Sequence, residues 1–249
     1  MRKLKNTTFV CVDVEATGLD VERDRVVEVA AVRFTMDQIL DEYETLIDPE
    51  QPIPQESIDI HHITQEMVEG KPKISEILPT LFSFIGRDIL IGHAIQFDID
   101  ILSHEAKRSS LACSLQKNLS IDTLRLARLY GQSPSNALDV LRAHFNIEPE
   151  GAHRAMSDVL VNVQVFHQLV RSFQTIEEVQ RALSKPIQMR IMPLGKHKGR
   201  AMSDLPLDYL QWAARQKFDN DLLFSLRKEL NRRKKMQCFG QAVNPFHAL

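Results

Sequence analysis

No apolar stretch among the 249 residues approaches the roughly 20 needed to span a bilayer. The basic start at Arg2, Lys3 and Lys5 leads into a short apolar run that Asp13 and Glu15 interrupt, unlike the core of a signal peptide. No membrane partner and a cytoplasmic location are therefore expected. Cysteine is scarce as well: Cys11, Cys113 and Cys238 lie far apart without the spacing of zinc ligands, and an odd number argues against a disulfide framework. A dominant charge is also missing. Lys and Arg number 31 against 33 Asp and Glu, a net charge of −2, which excludes a protein that grips long duplexes by electrostatics alone. Internal repeats and low-complexity tracts are absent.

What remains is an ordinary globular composition, 43% hydrophobic and 26% charged. The length suits one large domain, or a domain of typical size with a small appendage. An apolar, β-branched run at 7–15 is followed at short spacing by segments 24–34 and 39–48, and the three read as consecutive strands. A proline-rich polar excursion comes next. From Ile74 the residues Ile77, Leu78, Leu81, Phe82 and Ile85 recur at helical spacing, and short strands are expected at 88–93 and 119–123. Helices are expected over 98–108, 122–130, 137–144 and 154–173, which makes an α/β sandwich pattern.

Three segments concentrate carboxylates. Asp13 and Glu15, two apart at the end of the first strand, leave the same sheet face about 7 Å apart at the backbone, close enough for one cation. A strand that has simply reached solvent would look the same. Gly18, just beyond, lets the backbone turn and approach a ligand. Asp98 opens a helix after Phe97, where the helix dipole favours an acid in any case. His153 precedes another helix, and Asp158 adjoins its apolar stripe of Val159, Val163, Phe166 and Val170; an exposed loop histidine with a boundary aspartate is the plainer alternative. Glu28, inside a strand, is read as internally paired, and Asp122 as a helix cap.

Taken together, "VDVEATGLD", "GHAIQFDIDIL" and "HRAMSDV" resemble the three exonuclease motifs of the DnaQ-like family in its histidine-containing branch, with "DRVVEVAAVRF" and "IHHITQEMV" as further similar strings. The resemblance covers roughly residues 7 to 172. It implies a ribonuclease H-like mixed sheet flanked by helices, and a metal-dependent 3′ to 5′ exonuclease releasing nucleoside monophosphates from single-stranded DNA or RNA 3′ ends, in proofreading, repair or RNA processing. It further implies two Mg²⁺ or Mn²⁺ ions held by Asp13, Glu15, Asp98 and Asp158, with His153 as general base. The terminal nucleotide is then expected against the backbone of Thr17 and Gly18, with Leu19, Phe97 and His61 beside it. A polymerase partner is compatible with the resemblance, and a binding protein that keeps the fold without cleavage is the competing class. Ala16 and Ala94 depart from the family, which has Thr and Asn there in many members, and His62 replaces a common glycine.

The boundaries expected are an exonuclease domain over 1–173, a connector over 174–188, a small basic α-rich domain over 189–236 and a loose tail from 237. The small domain carries Lys196, His197, Lys198 and Arg200 in a glycine-bracketed turn, then a helix with Tyr209 and Trp212. Its glycine spacing is not that of a P-loop. An auxiliary nucleic-acid grip, with Arg232, Arg233, Lys234 and Lys235 adding charge, and a packing module with a solvated basic face are both open on these residues.

Overall fold

The computed structural model describes residues 1–148 and 154–242, the side chains of 237–242 excepted. The chain divides into two compact units, Met1–Ala182 and Leu183–Leu249.

The first unit is built on a five-stranded mixed sheet: β1 (Phe9–Ala16), β2 (Val26–Phe34), β3 (Ile39–Leu46), β4 (Ile89–Gly92) and β5 (Ser120–Asp122), in the order β3-β2-β1-β4-β5. The first three form an antiparallel meander, while β1, β4 and β5 run parallel. Short connections allow the meander; the parallel strands need helical crossovers. Those are supplied by α1 (Gln55–His61), α2 (Gln65–Val68) and α3 (Ile74–Ile85) before β4, and by α4 (Gln96–Arg108) before β5; α5 (Thr123–Tyr130), α6 (Leu138–His144), α7 (Ala155–Leu169) and α8 (Ile176–Leu183) follow.

Strand alternation sorts β1 between two layers. Val10, Val12 and Val14 enter a core with Leu78, Leu81, Ile99 and Leu102 from α3 and α4. The odd-numbered residues face α7 and climb it in step. Phe9 meets Phe166 with ring centroids 5.2 Å apart, and Cys11 accepts a hydrogen bond from Asn162 Nδ2 at 3.5 Å. Two strand residues advance about 6.8 Å and four helical residues about 6 Å, so the next step sets Asp13 and Glu15 beside Asp158.

The second unit holds α9 (Leu207–Ala213) and α10 (Asn220–Ala242), packed through Met192, Met202, Leu205, Leu210, Leu222 and Leu226. Helix α10 runs through Ala242, into the segment expected to be a loose tail; no proline interrupts it before Pro245.

Candidate active site

Carboxylate oxygens of Asp13, Glu15 and Asp158 all lie within 4.8 Å of one another. They stand at the carboxyl end of β1, beyond the point where β4 has stopped: the β1–β4 ladder ends at Cys11 and Ile91. With no strand beside it there, the Val14 N–H is taken by Asp98 Oδ1 at 3.1 Å. Asp98 is buried and borders the triad on the Asp13 side without joining it. The four-carboxylate set expected from the sequence is thus arranged as three converging groups plus one neighbour tied to the strand backbone.

Burial, reinforced by the charges of Asp98, Glu15 and Asp158, holds the Asp13 carboxyl well above its ordinary range. Glu15 is pushed up to about 7 by burial and by Asp158 and Glu28, with Arg154 opposing. Asp98 is raised chiefly by burial, while the Val14 N–H works the other way. Crowded, half-buried acids of this kind are costly unless a cation joins them. The donors are all oxygens, which suits a hard divalent ion rather than a thiolate- or imidazole-preferring one.

His153, the expected base, lies outside the described residues. Its neighbour Arg154 does not. Arg154 Nε donates to Glu28 Oε1 at 2.9 Å, and the Ala155 N–H donates to Glu28 Oε2 at 3.0 Å. Glu28 is wholly buried and sits directly across the ladder from Glu15. One carboxylate therefore pins the first residue of α7, fixes the helix that delivers Asp158 and completes the electrostatics around Glu15. Its role at the site was not read from the sequence, although a charge inside the apolar run Val26–Val32 was the available signal.

The expected substrate contacts separate into two kinds. Thr17 turns inward: its hydroxyl donates to Asp24 Oδ1 and accepts from the Arg25 N–H and Gln51 Nε2, at 2.8 to 3.0 Å. Its own N–H donates to the Arg25 carbonyl and its carbonyl accepts from Ser57, so its polar atoms are engaged within the fold. Gly18 also makes a close approach within the fold, since a Cβ there would meet the Asp24 carboxylate at 2.5 Å. His61 is only 2% exposed, with Nδ1 accepting from the Ile63 N–H at 3.0 Å, and burial lowers its basicity. Its ring is buried and not that of an ordinary surface loop residue. Leu19, by contrast, is 86% exposed, and Phe97 is half-buried against the core. Asp122 caps α5, accepting from the Leu124 N–H at 2.8 Å, and also takes the Ala94 N–H at 3.1 Å.

Comparison with known proteins agrees with this geometry. The DNA polymerase III subunit epsilon of Aquifex aeolicus is 34% identical over 164 residues, 66% of this chain and 80% of that one. The PolC-type DNA polymerase III of Thermotoga petrophila is 37% identical over 172 residues, 69% of this chain but only 12% of its own length. Among solved structures, exonuclease X bound to 5′ overhanging duplex DNA superposes with a TM-score of 0.53 at 23% identity, over 69% of this chain and 99% of that one. A zinc-bound exonuclease I–single-stranded DNA complex from E. coli gives 0.62 at 20% identity, over 72% and 43%; both show the fold. Residues 180–227 match a family described as a putative quorum-sensing-regulated virulence factor. Residues 10–166, from the strand that carries Asp13 and Glu15 to the helix that carries Asp158, match the RNase_T exonuclease model, and the chain belongs to that exonuclease family.

Proposed function

We propose that this chain is a metal-dependent 3′ to 5′ exonuclease that hydrolyses the terminal phosphodiester of a nucleic-acid strand and releases nucleoside monophosphates. The observation that carries the reading is the convergence of Asp13, Glu15 and Asp158 within 4.8 Å at the end of β1. These three hold one divalent ion, and Asp98, beside Asp13, helps to hold a second. Divalent ions bound there supply charge neutralisation at the phosphate and a water of lowered pKa. Oxygen donors make Mg²⁺ or Mn²⁺ the fitting choice.

His153 takes the proton from the attacking water, a contribution of roughly 10² to 10⁴ in rate for a well-placed base. Arg154, clamped to Glu28, orients the segment in which His153 stands. Leu19, exposed beside the site, and the free side of Phe97 receive the terminal nucleoside by apolar and stacking contact, which tolerates any base. Recognition of this kind suits single-stranded 3′ ends. The relatives named as DNA polymerase III subunits favour DNA and a cytoplasmic replication or repair setting, with a polymerase as a fitting partner.

The test is digestion of matched single-stranded DNA, duplex DNA and RNA, labelled in turn at each end, with Mg²⁺, Mn²⁺ or chelator. Stepwise, metal-dependent release of mononucleotides from the 3′ end is expected. Absence of cleavage under every metal, or release from the 5′ end, refutes the reading.

A further inference from the structure

Charge is divided unevenly between the two units. Residues 183–249 carry 13 Lys and Arg against 5 Asp and Glu, a net +8, whereas residues 1–182 carry −10. The whole-chain value of −2 conceals a strongly basic unit attached to an acidic one. For a ligand that is itself a polyanion, the unit with the carboxylate triad is the repulsive one and the second unit the attractive one.

Not all of that positive charge is available. Arg232 and Arg233 both bind Glu229, at 2.7 and 2.8 Å, and Arg233 Nη2 also donates to the Ser203 carbonyl at 2.8 Å. Arg233 thereby ties α10 to the turn before α9, and Arg232 is engaged within its own helix. The loop from Met192 to Arg200 is different. Reciprocal backbone bonds close it: Met192 N–H to the Arg200 carbonyl and Gly199 N–H to the Met192 carbonyl, both 2.8 Å. Gly195 and Gly199 have φ of +71° and +85°, which glycine adopts at least cost. The loop points His197 inward, 8% exposed, and Lys196, Lys198 and Arg200 outward. Among the described residues none of these three cations has a carboxylate partner. Arg200 is held rigid instead, by the His197 ring at 3.3 Å and the Asp204 carbonyl at 3.0 Å.

His197 connects the loop to α9. Its ring packs edge-on against Tyr209 with centroids 4.4 Å apart, and Tyr209 lies 5.4 Å from Trp212. A Cβ on Gly195 would come within 3.4 Å of the Tyr209 hydroxyl, so the glycine also keeps room for that ring. Trp212 is 53% exposed, although burying it would have stabilised so small a unit. A module that only packs has no use for an exposed indole on an aromatic stack beside three uncompensated cations. Asp204, whose carboxylate accepts from Ser203 Oγ at 2.9 Å, and Asp208, on the same helix as Trp212, are the exposed charges of opposite sign in that stretch of sequence.

We propose that this face is a second binding site for a single-stranded polynucleotide, separate from the cleavage site: Lys196, Lys198 and Arg200 engage successive phosphates, and Trp212, backed by Tyr209, stacks on a base. Cations along a backbone and aromatic rings under the bases are the two elements of strand binding without sequence preference. The surface stands on its own geometry and does not require that the carboxylate site be catalytic.

Trp212 is the chain's single tryptophan, so its emission reports on this face alone. The full chain is titrated in chelator, to prevent cleavage, with 20-mers of dT and of rU, with a dT-length abasic polymer and with inorganic polyphosphate, while strand binding is followed in parallel by anisotropy. Saturable quenching by the base-bearing strands is expected, and their relative affinities tell DNA from RNA. Trp212→Ala should weaken binding by roughly five- to a hundredfold, with Trp212→Phe in between. Lys196→Ala with Lys198→Ala should make the slope of log affinity against log salt shallower by roughly 1.4, as for two phosphates of a single strand. Unchanged emission at strand concentrations that saturate the anisotropy overturns the proposal, as does equal quenching by the abasic polymer or an unaltered salt slope in the double variant.

Discussion

Arg154 and Glu28, 126 residues apart in sequence, are joined by a forked ion pair whose acid is completely buried and whose base stands one residue after His153. Removing one partner of a buried pair strands the other charge, at a cost of about 3 to 5 kcal/mol; partial exposure of Arg154 puts this case near the low end. Glu28→Gln should therefore lower the melting temperature and cut kcat by tenfold or more with little change in KM. Arg154→Lys, which keeps the charge but loses the fork, should recover stability more than turnover. Thermal melts set beside steady-state cleavage of a labelled strand decide it, and equal recovery of both by Arg154→Lys would reduce the pair to a fold element.

Asp13 presents the opposite balance. Its carboxyl is forced up by burial and by four acidic neighbours, Asp98, Glu15, Asp158 and Glu28, so the group costs metal-free stability for the sake of the site. Asp13→Asn should abolish turnover at every metal concentration while raising the melting temperature of the metal-free protein at pH 8. His153→Ala should instead leave a residual rate, lower by roughly 10² to 10⁴. A variant at Asp13 that cleaves at the parental rate would exclude it as a ligand.

These two contrasts show how far the residues could be read in advance. Asp13 and Glu15 share a face because strands repeat every two residues, a period that is local and legible, whereas the approach of Asp158 from α7 was implied only by the family resemblance. The sheet and its flanking helices follow from the same regularities. The inward turn of Thr17 depends on Gln51 and Asp24 arriving from separate loops, and the function of Glu28 on an arginine 126 positions away. No local period encodes such meetings. A motif string names Thr17 and His61 but does not show the internal hydrogen bonds that hold them, which only the packed structure displays.

Glu15, pushed up to about 7, makes metal binding depend on pH. A carboxyl whose folded-state value lies above its unfolded value contributes stability fully below the unfolded value, near 4.5, and loses it as pH rises through the folded one. The metal-free protein should accordingly lose stability between about pH 5 and 7. A bound divalent ion favours the ionised form, so binding releases protons below about pH 7 and tightens as pH rises. The gain in melting temperature on adding Mn²⁺ should be larger at pH 8 than at pH 6, and calorimetry in buffers of different ionisation enthalpy should register the released protons. A gain independent of pH would contradict the assignment of Glu15 as a ligand.

Ala94 adopts φ of +67°. Left-handed backbone costs an alanine about 1 to 2 kcal/mol, and asparagine tolerates it better. The residue is exposed, and its N–H is already held by Asp122. Ala94→Asn should thus stabilise the protein by about 0.5 to 1 kcal/mol, measured as a higher denaturant midpoint at constant slope. An unchanged or lower midpoint would mean that the side chain disturbs the Asp98 segment just beyond it.

Glu105, completely buried, is gripped by Arg25 Nη1 and Arg108 Nη2, each at 3.2 Å, and Arg108 Nη2 also donates to the Asp24 carbonyl at 2.9 Å. The two arginines tether both the end and the interior of the loop over residues 17–25 to α4, the helix that carries Asp98. The exposed Leu19 stands on that tethered loop, so its position relative to the carboxylates depends on α4. Arg108→Ala leaves Arg25 on Glu105 and every carboxylate in place, yet frees the middle of the loop. KM for a short single strand should rise severalfold with kcat held within about twofold, because the lost constraint acts on ground state and transition state alike. A fall in kcat without a change in KM would show instead that α4 itself had shifted and taken Asp98 with it.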